Sequence, residues 1–358
     1  MHSGRVLLTT LLTAALALGG SVSSVAAGPL KAPPRIPWYD AQRERIVVPG
    51  GDPVSTVDAR GPHGGRPAGL LEARGGYLLH VTVNNKDETQ IGSRVTFINN
   101  AGRARTLVAR SRYVPVLTSS DGRTAVLGSW ASEQGLRAVR ISDGKVLDGY
   151  KPARSRVDVK AASDHHVLVQ RLRYRGDRTY TVEVVSWNPT RGTTEVIDRR
   201  PVEGDPFAGV LVPAAASPET RRYATYAGDH AVMVRSRTHR TLWRTRTGEV
   251  PVAFSPDSKR VATIAGLRQG DEDYYSWTNT ARTVRVRNAT TGAVLATYTG
   301  RFMVEGPDQR PLWESSDRLF LQAVGNSFPL LRCSVASDRC ARVQKSVGPR
   351  NLMVRKSN

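Results

Sequence analysis

Along most of the chain, short apolar runs alternate with tight polar turns, and the alternation recurs as a unit. The unit is an apolar strand, a Ser/Asp/Gly turn, a second apolar strand, a variable loop, and a hairpin closed by another polar turn. Its clearest copy spans residues 252–298, where VAFSPDSKRVATIAG is followed by a long polar loop and then by TVRVRNATTGAVLATY. A shorter copy spans 114–146, as VPVLTSSDGRTAVLGSW, a loop, and RAVRISDGKV. In the first copy Val284 and Val286 face one way while Thr283, Arg285 and Arg287 face the other, the period of a strand with one apolar and one polar face. The runs VAFS, ATIA and VLVP are apolar on both faces, as strands pressed between neighbouring layers are.

The first turn of the unit falls at Gly75-Gly76, Asp121-Gly122, Asp164-His165, Pro218-Glu219, Pro256-Asp257-Ser258 and Ser316-Asp317. The second falls at Asn99-Asn100-Ala101-Gly102, Ser142-Asp143-Gly144, 188–192, Arg237-Thr238-His239, Ala289-Thr290-Thr291-Gly292 and 334–338. Gly, Asn and Asp suit most of these places because tight hairpin turns need positive φ. Six complete units therefore lie between Gly69 and Gln344. A repeat of roughly 40 to 60 residues holding four short strands predicts an all-β fold, a β-propeller with one repeat per blade. Ahead of the first unit, residues 43–58 read as a hairpin around Gly50-Gly51, and NLMVRK at 351–356 reads as one more strand. Together they form a composite blade that joins the chain ends and removes exposed sheet edges. Seven blades are favoured, with six as the alternative.

The start of the chain has its own pattern. A stub with His2 and Arg5, an apolar stretch from Val6 to Leu18 and small residues up to Ala27 have the order of a secretory signal peptide, residues 1–27. The apolar stretch falls short of the ~20 residues a membrane-spanning helix needs. The Pro-rich segment 28–37 is expected to be an extended linker, and 38–358 the propeller domain. Secretion, or association with the cell surface, is the expected location. In that oxidising setting Cys333 and Cys340, one on each arm of a short hairpin in LLRCSVASDRCARV, are expected to form a disulfide. A metal site there lacks further His or Cys ligands.

The formal charge of +21 raises the question of anionic partners. Arginine outnumbers lysine and is spread through nearly every repeat instead of forming one block, which argues against a specific nucleic-acid site. The expected partner is an unidentified protein or a cell-envelope polymer, an anionic one being admitted by the charge.

The SPDSKRVAT and VRVRNATTGAVLAT halves resemble WD40-like and TolB-like propeller repeats, in which a Ser-Pro-Asp-Gly turn precedes a strand and a Thr-Gly hairpin. The match is good at Ser255-Pro256-Asp257 and Thr291-Gly292, fair at Ser120-Asp121-Gly122, and degenerate elsewhere. The Trp-Asp dipeptide and Gly-His pair of the WD repeats are missing. The resemblance covers most of the chain and implies a fold and a binding role, not a reaction.

If strand order follows those repeats, the loops between second and third strands share one face of the ring. The outstanding one is LRQGDEDYYSWTNT, residues 267–280. There Asp271, Glu272 and Asp273 precede Tyr274, Tyr275 and Trp277, acid and aromatic side chains on an otherwise basic chain. These six are the candidate ligand-binding residues, since exposed aromatics anchor partners. The consecutive acids lack the spacing of a calcium loop. His165 and His166 read as turn residues on the opposite face, and His230 beside Asp229 is a lone pair on the loop face.

No catalytic residue is assigned. There is no G-x-S-x-G elbow, no motif requires a cofactor or metal, and the Thr118–Thr124 stretch TSSDGRT departs from the sialidase Asp-box because Gly122 follows Asp121 directly. The expected function is non-catalytic binding at the cell envelope. The alternative is a propeller enzyme, a lyase or glycoside hydrolase, with carboxylates converging at the central channel.

Overall fold

The computed structural model describes residues 34–59, 66–84, 90–129, 135–153, 155–176, 179–203, 215–227, 230–266, 280–304, 311–324 and 329–343. Their strands form seven antiparallel sheets, each a meander whose strands pair in chain order. Blade one occupies residues 38–55, blade two 66–111, blade three 113–150, blade four 155–203, blade five 222–244, blade six 249–303 and blade seven 312–342. Among the described residues blades one and five show three strands and the others four. In blade five a bridge between Ala216 and Tyr223 marks the place of a first strand. The described residues contain a single short 3-10 turn, Val57–Ala59, and no helix long and apolar enough to cross a membrane. This is the seven-bladed propeller that the repeat predicts. The strand expected at 351–356 lies outside the described residues.

The turns explain why the repeats fold locally. Ser119, Ser163, Ser217 and Ser255 occupy one position in four successive units. Their hydroxyls accept from Thr124 N at 3.0 Å, His166 N at 3.1 Å, Arg222 N at 3.0 Å and Arg260 N at 3.0 Å. In two of them the hydroxyl also donates to an aspartate two residues on, Ser119 to Asp121 and Ser255 to Asp257, each at 2.6 Å. Such short-range bonds set a turn without help from the rest of the fold.

The core is distributed along the seams. Each apolar cluster lies where two successive blades meet: Tyr39 and Ile46 against Leu70 and Leu79 at the first seam, Leu78 and Val95 against Ala125 and Leu127 at the second. Trp187 and Val169 meet Val126 and Ala138 at the third, and Tyr223 meets Leu168 and Val184 at the fourth. Phe254 packs on Met233 and Trp243 at the fifth, and Trp313 on Val252 and Ala253 at the sixth. The seventh joins the start of the described chain to its end: Ile36 is buried with Phe320 and Val343. Beside it Arg35 N donates to Glu314 Oε1 at 2.6 Å. The last residues of the Pro-rich segment are thus packed into the ring. Indole N–H groups also cross seams, Trp187 to Asp148 Oδ2 at 2.8 Å, Trp243 to Ala289 O at 3.1 Å and Trp313 to Ala253 O at 3.2 Å.

The polar face of the strand Thr280–Asn288 departs from the simple alternation. Arg287 is only 9% exposed and clamps the buried Glu249, Nε to Oε1 at 2.7 Å and Nη2 to Oε2 at 2.8 Å, with Arg285 Nη1 at 3.2 Å from Oε2. The motif recurs. In blade four Glu183 takes Arg171 Nε at 2.6 Å and Arg199 Nε at 2.8 Å, and in blade seven Glu314 takes Arg332 Nη2 at 2.7 Å. Burial pushes the Glu249 carboxyl up, but hydrogen bonds from Arg287 and Thr263 and the charges of Arg287 and Arg285 outweigh it, so Glu249 sits below its ordinary value.

In blade seven Cys333 and Cys340 stand directly opposite each other in register and form the expected disulfide, with Cα atoms 4.0 Å apart.

Two measurements check these contacts. Arg287→Met leaves the buried carboxylate with only Arg285 and the Thr263 hydroxyl as partners and should lower unfolding free energy at pH 7 by about 3 kcal/mol. Because the folded pKa of Glu249 is depressed, its contribution is present above the ordinary 4.5 and lost as pH falls through the lower folded value. The gap between variant and wild type in urea titrations should therefore narrow on acidification, and a gap that is constant with pH would contradict the ion-pair account. Replacing both cysteines by serine should cost about 2.5 kcal/mol, the chain-entropy value for so short a loop, and reductant should cost wild type the same.

Candidate functional site

Because each blade is an antiparallel meander, its first and second hairpin turns lie at one end and its second-to-third-strand loop at the other. The ring therefore has a turn face and a loop face. The six residues Asp271, Glu272, Asp273, Tyr274, Tyr275 and Trp277 lie outside the described residues. Their loop leaves blade six after Gly266 and re-enters at Thr280, so it springs from the loop face.

Two concavities of the turn face are lined by described residues. One is the mouth of the central channel, a cavity of ≈ 410 Å³ reached by Glu72 and Arg74 of blade two, Asp121 of blade three, Pro218 and Glu219 beside blade five and Pro256 of blade six. Turns from blades so far apart in order meet only across the middle of a ring. Two of the channel-mouth acids are engaged in turns and seams: Asp121 accepts from Ser119 Oγ and from Arg123 N at 3.0 Å, and Glu219 Oε2 accepts from Ser258 Oγ of the next blade. Burial and the charge of Glu72 push the nearby Tyr77 phenol up, so it stays protonated through neutral pH.

The second concavity is a groove of ≈ 1240 Å³ between blades two and three that runs on to blade four. Its floor is apolar, from Phe97, Ala104, Ile141 and Leu147, and its walls carry Arg74, Arg103, Arg105, Arg123 and Arg140. The seam beneath is tied by backbone: Arg74 N donates to Gly122 O at 2.9 Å, and Ser120 N to Ala162 O at 2.9 Å. The Arg105 guanidinium crosses the seam to the carbonyls of Ile141 and Ser142 and lies 5.9 Å from the Phe97 ring centre. Arg140 pairs with Asp143 at 2.9 Å, and Arg123 lies 3.6 Å from Asp121. The Lys145 N–H, above all, and Arg140 hold the Asp143 carboxyl below the usual range. The guanidinium groups of Arg74 and Arg103 have no partner among the described residues. Asp164, on the same wall, accepts from Ser120 Oγ at 2.9 Å, so the carboxylates of the groove are already engaged. His165 lies on the groove rim, while the His166 ring nitrogen Nδ1 is 3.1 Å from Ser186 Oγ. The reading of both as turn residues agrees with their positions.

The groove is what reading arginine as scattered misses. Its signal was in the repeat alignment: Arg74 and Arg123 flank the first turns of blades two and three, and Arg103, Arg105 and Arg140 flank their second turns. Residues dispersed in sequence gather because the same turn positions recur around a ring.

No protein-family model matches the chain, and no curated protein matches it. Among solved structures it is similar to the β-propeller domain of Cps50 (Swd1) from Myceliophteria thermophila, with a TM-score of 0.51 and 11% identity over 80% of this chain and 88% of that one. It is also similar to an uncharacterized protein from Listeria monocytogenes EGD-e, with a TM-score of 0.50 and 12% identity over 77% of this chain and 81% of that one. At these identities the likeness speaks for the propeller fold alone.

Two glycines test the groove's construction. Gly122 and Gly144 both have positive φ, +68° and +76°. An added Cβ at Gly144 meets nothing closer than Leu107 at 3.7 Å, whereas at Gly122 it lies 2.5 Å from Arg74 N. Gly144→Ala should cost about 1–2 kcal/mol from the left-handed backbone alone. Gly122→Ala should cost clearly more, because it also forces the seam apart. Equal losses in thermal or urea unfolding would refute the close approach.

Proposed function

We propose that this protein is a secreted propeller that acts as a non-catalytic binding module at the cell envelope. The observation that carries the reading is the chemistry of the turn face. The carboxylates of Asp121, Asp164 and Glu219 accept bonds from their own turns or from a neighbouring blade, while the guanidinium groups of Arg74 and Arg103 have no partner among the described residues. A face of this kind supports recognition, where fixed donors hold an incoming group, more than acid–base chemistry, which needs carboxyls free to exchange protons. The propeller fold supports it too, since a ring of rigid sheets presents two broad faces of turns and loops. On the loop face the segment holding Asp271, Glu272, Asp273, Tyr274, Tyr275 and Trp277 is the second contact surface in this reading. Residues 1–27 direct export, and the disulfide of blade seven is suited to an oxidising compartment.

The test is expression of the full chain in a bacterial secretory host, followed by fractionation and N-terminal sequencing. The expected product begins at Gly28, is found outside the inner membrane with its disulfide formed, and sediments saturably with isolated envelope material. A product that keeps Met1 and stays in the cytosol would overturn the export half of the proposal. A processed product that never associates with envelope material, or that releases sugar from it, would overturn the binding half.

A further inference from the structure

The groove between blades two and three has a feature that general basicity does not explain: its open charges flank an apolar floor. Arg74 and Arg103 are exposed and their guanidinium groups have no partner among the described residues, whereas Asp121 and Asp164 are engaged by serines. Between the charges Phe97 and Leu147 are only half-buried, so aliphatic and aromatic surface is left open to water in the floor of a charged groove. We infer that this groove is a docking site for an acidic peptide segment of a protein partner, one that carries an apolar side chain between its carboxylates.

Three properties of the groove single out that occupant. A guanidinium presents a planar pair of N–H donors that matches a carboxylate in two parallel bonds. The volume of ≈ 1240 Å³ exceeds the ~1,000 Å³ upper range of small-molecule pockets and suits an extended segment of chain. An apolar floor gives nothing to a polyphosphate chain, whose binding comes from charge neutralisation. It rewards a Leu or Phe placed between acids, because desolvated apolar anchors ringed by polar contacts carry most of the affinity in peptide recognition. The rigidity of the wall adds to this. Arg105 is fixed across the seam to the carbonyls of Ile141 and Ser142, so the groove does not have to be assembled on binding.

The inference rests on the binding-module reading and names the partner class for one of its faces. It concerns the turn face, not the loop face that carries the acidic and aromatic segment.

The experiment uses the mature chain from Gly28 and fluorescence anisotropy with a fluorescein-labelled acidic peptide bearing a central phenylalanine. The comparison probes are the same peptide with glycine in place of phenylalanine and inorganic polyphosphate. The expected result is saturable binding that weakens at least tenfold when phenylalanine becomes glycine. The double variant Arg74→Glu with Arg103→Glu should abolish it, Arg74→Lys with Arg103→Lys should retain part of it, and Leu147→Asp should weaken it. Arg246→Glu, an exposed change in the link between blades five and six, should leave it unaltered. Circular dichroism checks that each variant keeps its fold; should Leu147→Asp unfold, the phenylalanine-to-glycine comparison on wild type decides the same point. Equal affinity for the two peptides, or tighter binding of polyphosphate with no effect of the floor, would overturn the peptide assignment. So would peptide binding that Arg246→Glu weakens as much as the groove variants do. Saturable binding to envelope material that survives the groove variants, with no peptide binding, would sink this inference alone. Failure of both assays would sink the binding-module reading with it.

Discussion

Among the described residues blades two to seven each give apolar side chains to two seams, and no sheet can bury both faces alone. That constraint governs the rest. A single blade would leave both faces in water, and an open arc of blades would still leave one at each end. Closing the arc into a ring gives every face a partner, and the seven seam clusters found among the described residues are the outcome. With no shared interior, stability is a property of neighbouring pairs, much as in stacked repeats, with the difference that the last pair closes on the first. The indole bonds of Trp187, Trp243 and Trp313 follow the same logic, each spending its polar atom on the adjoining blade.

Arginine serves two ends here. Part of the excess charge is structural: Arg171, Arg199, Arg287 and Arg332 hold buried or nearly buried glutamates and so replace apolar contacts in the sheets. Buried pairs of this type contribute little net stability but penalise wrong partners, because a misregistered blade would strand a carboxylate without its arginine. Other arginines sit at turn positions and gather on one face. Net charge, taken from composition, cannot separate these two populations; burial and position within the repeat do.

The architecture was legible in the sequence because its determinants are local. SPDS and SSDG turns, Thr-Gly hairpins and period-two strands are set by residues within a few positions of one another, and each lies in the structure where the pattern puts it. The pairing of Cys333 with Cys340 was legible for the same reason. What was not legible depends on residues far apart in the chain. Glu249 finds Arg287 across two strands, Arg105 reaches Ile141 across a seam, and the groove takes its walls from three blades. Spacing along the chain carries no trace of such encounters until the ring order is known. The acidic and aromatic loop stood out because its composition is anomalous, whereas the groove was masked by being made of the chain's commonest charge.

Closure through Ile36, Phe320 and Val343 has a consequence for the order of events during synthesis. The first blade to leave the ribosome holds a face whose covering lies some three hundred residues downstream, at the opposite terminus. Until that end emerges, the growing arc is an adhesive crescent with two open flanks. Neighbouring nascent chains offer each flank the same surfaces that the proper partner would. Fidelity therefore hinges on timing: the crescent must shut on itself before it meets another crescent. Whatever escorts this polypeptide must shield its leading edge until the final blade arrives.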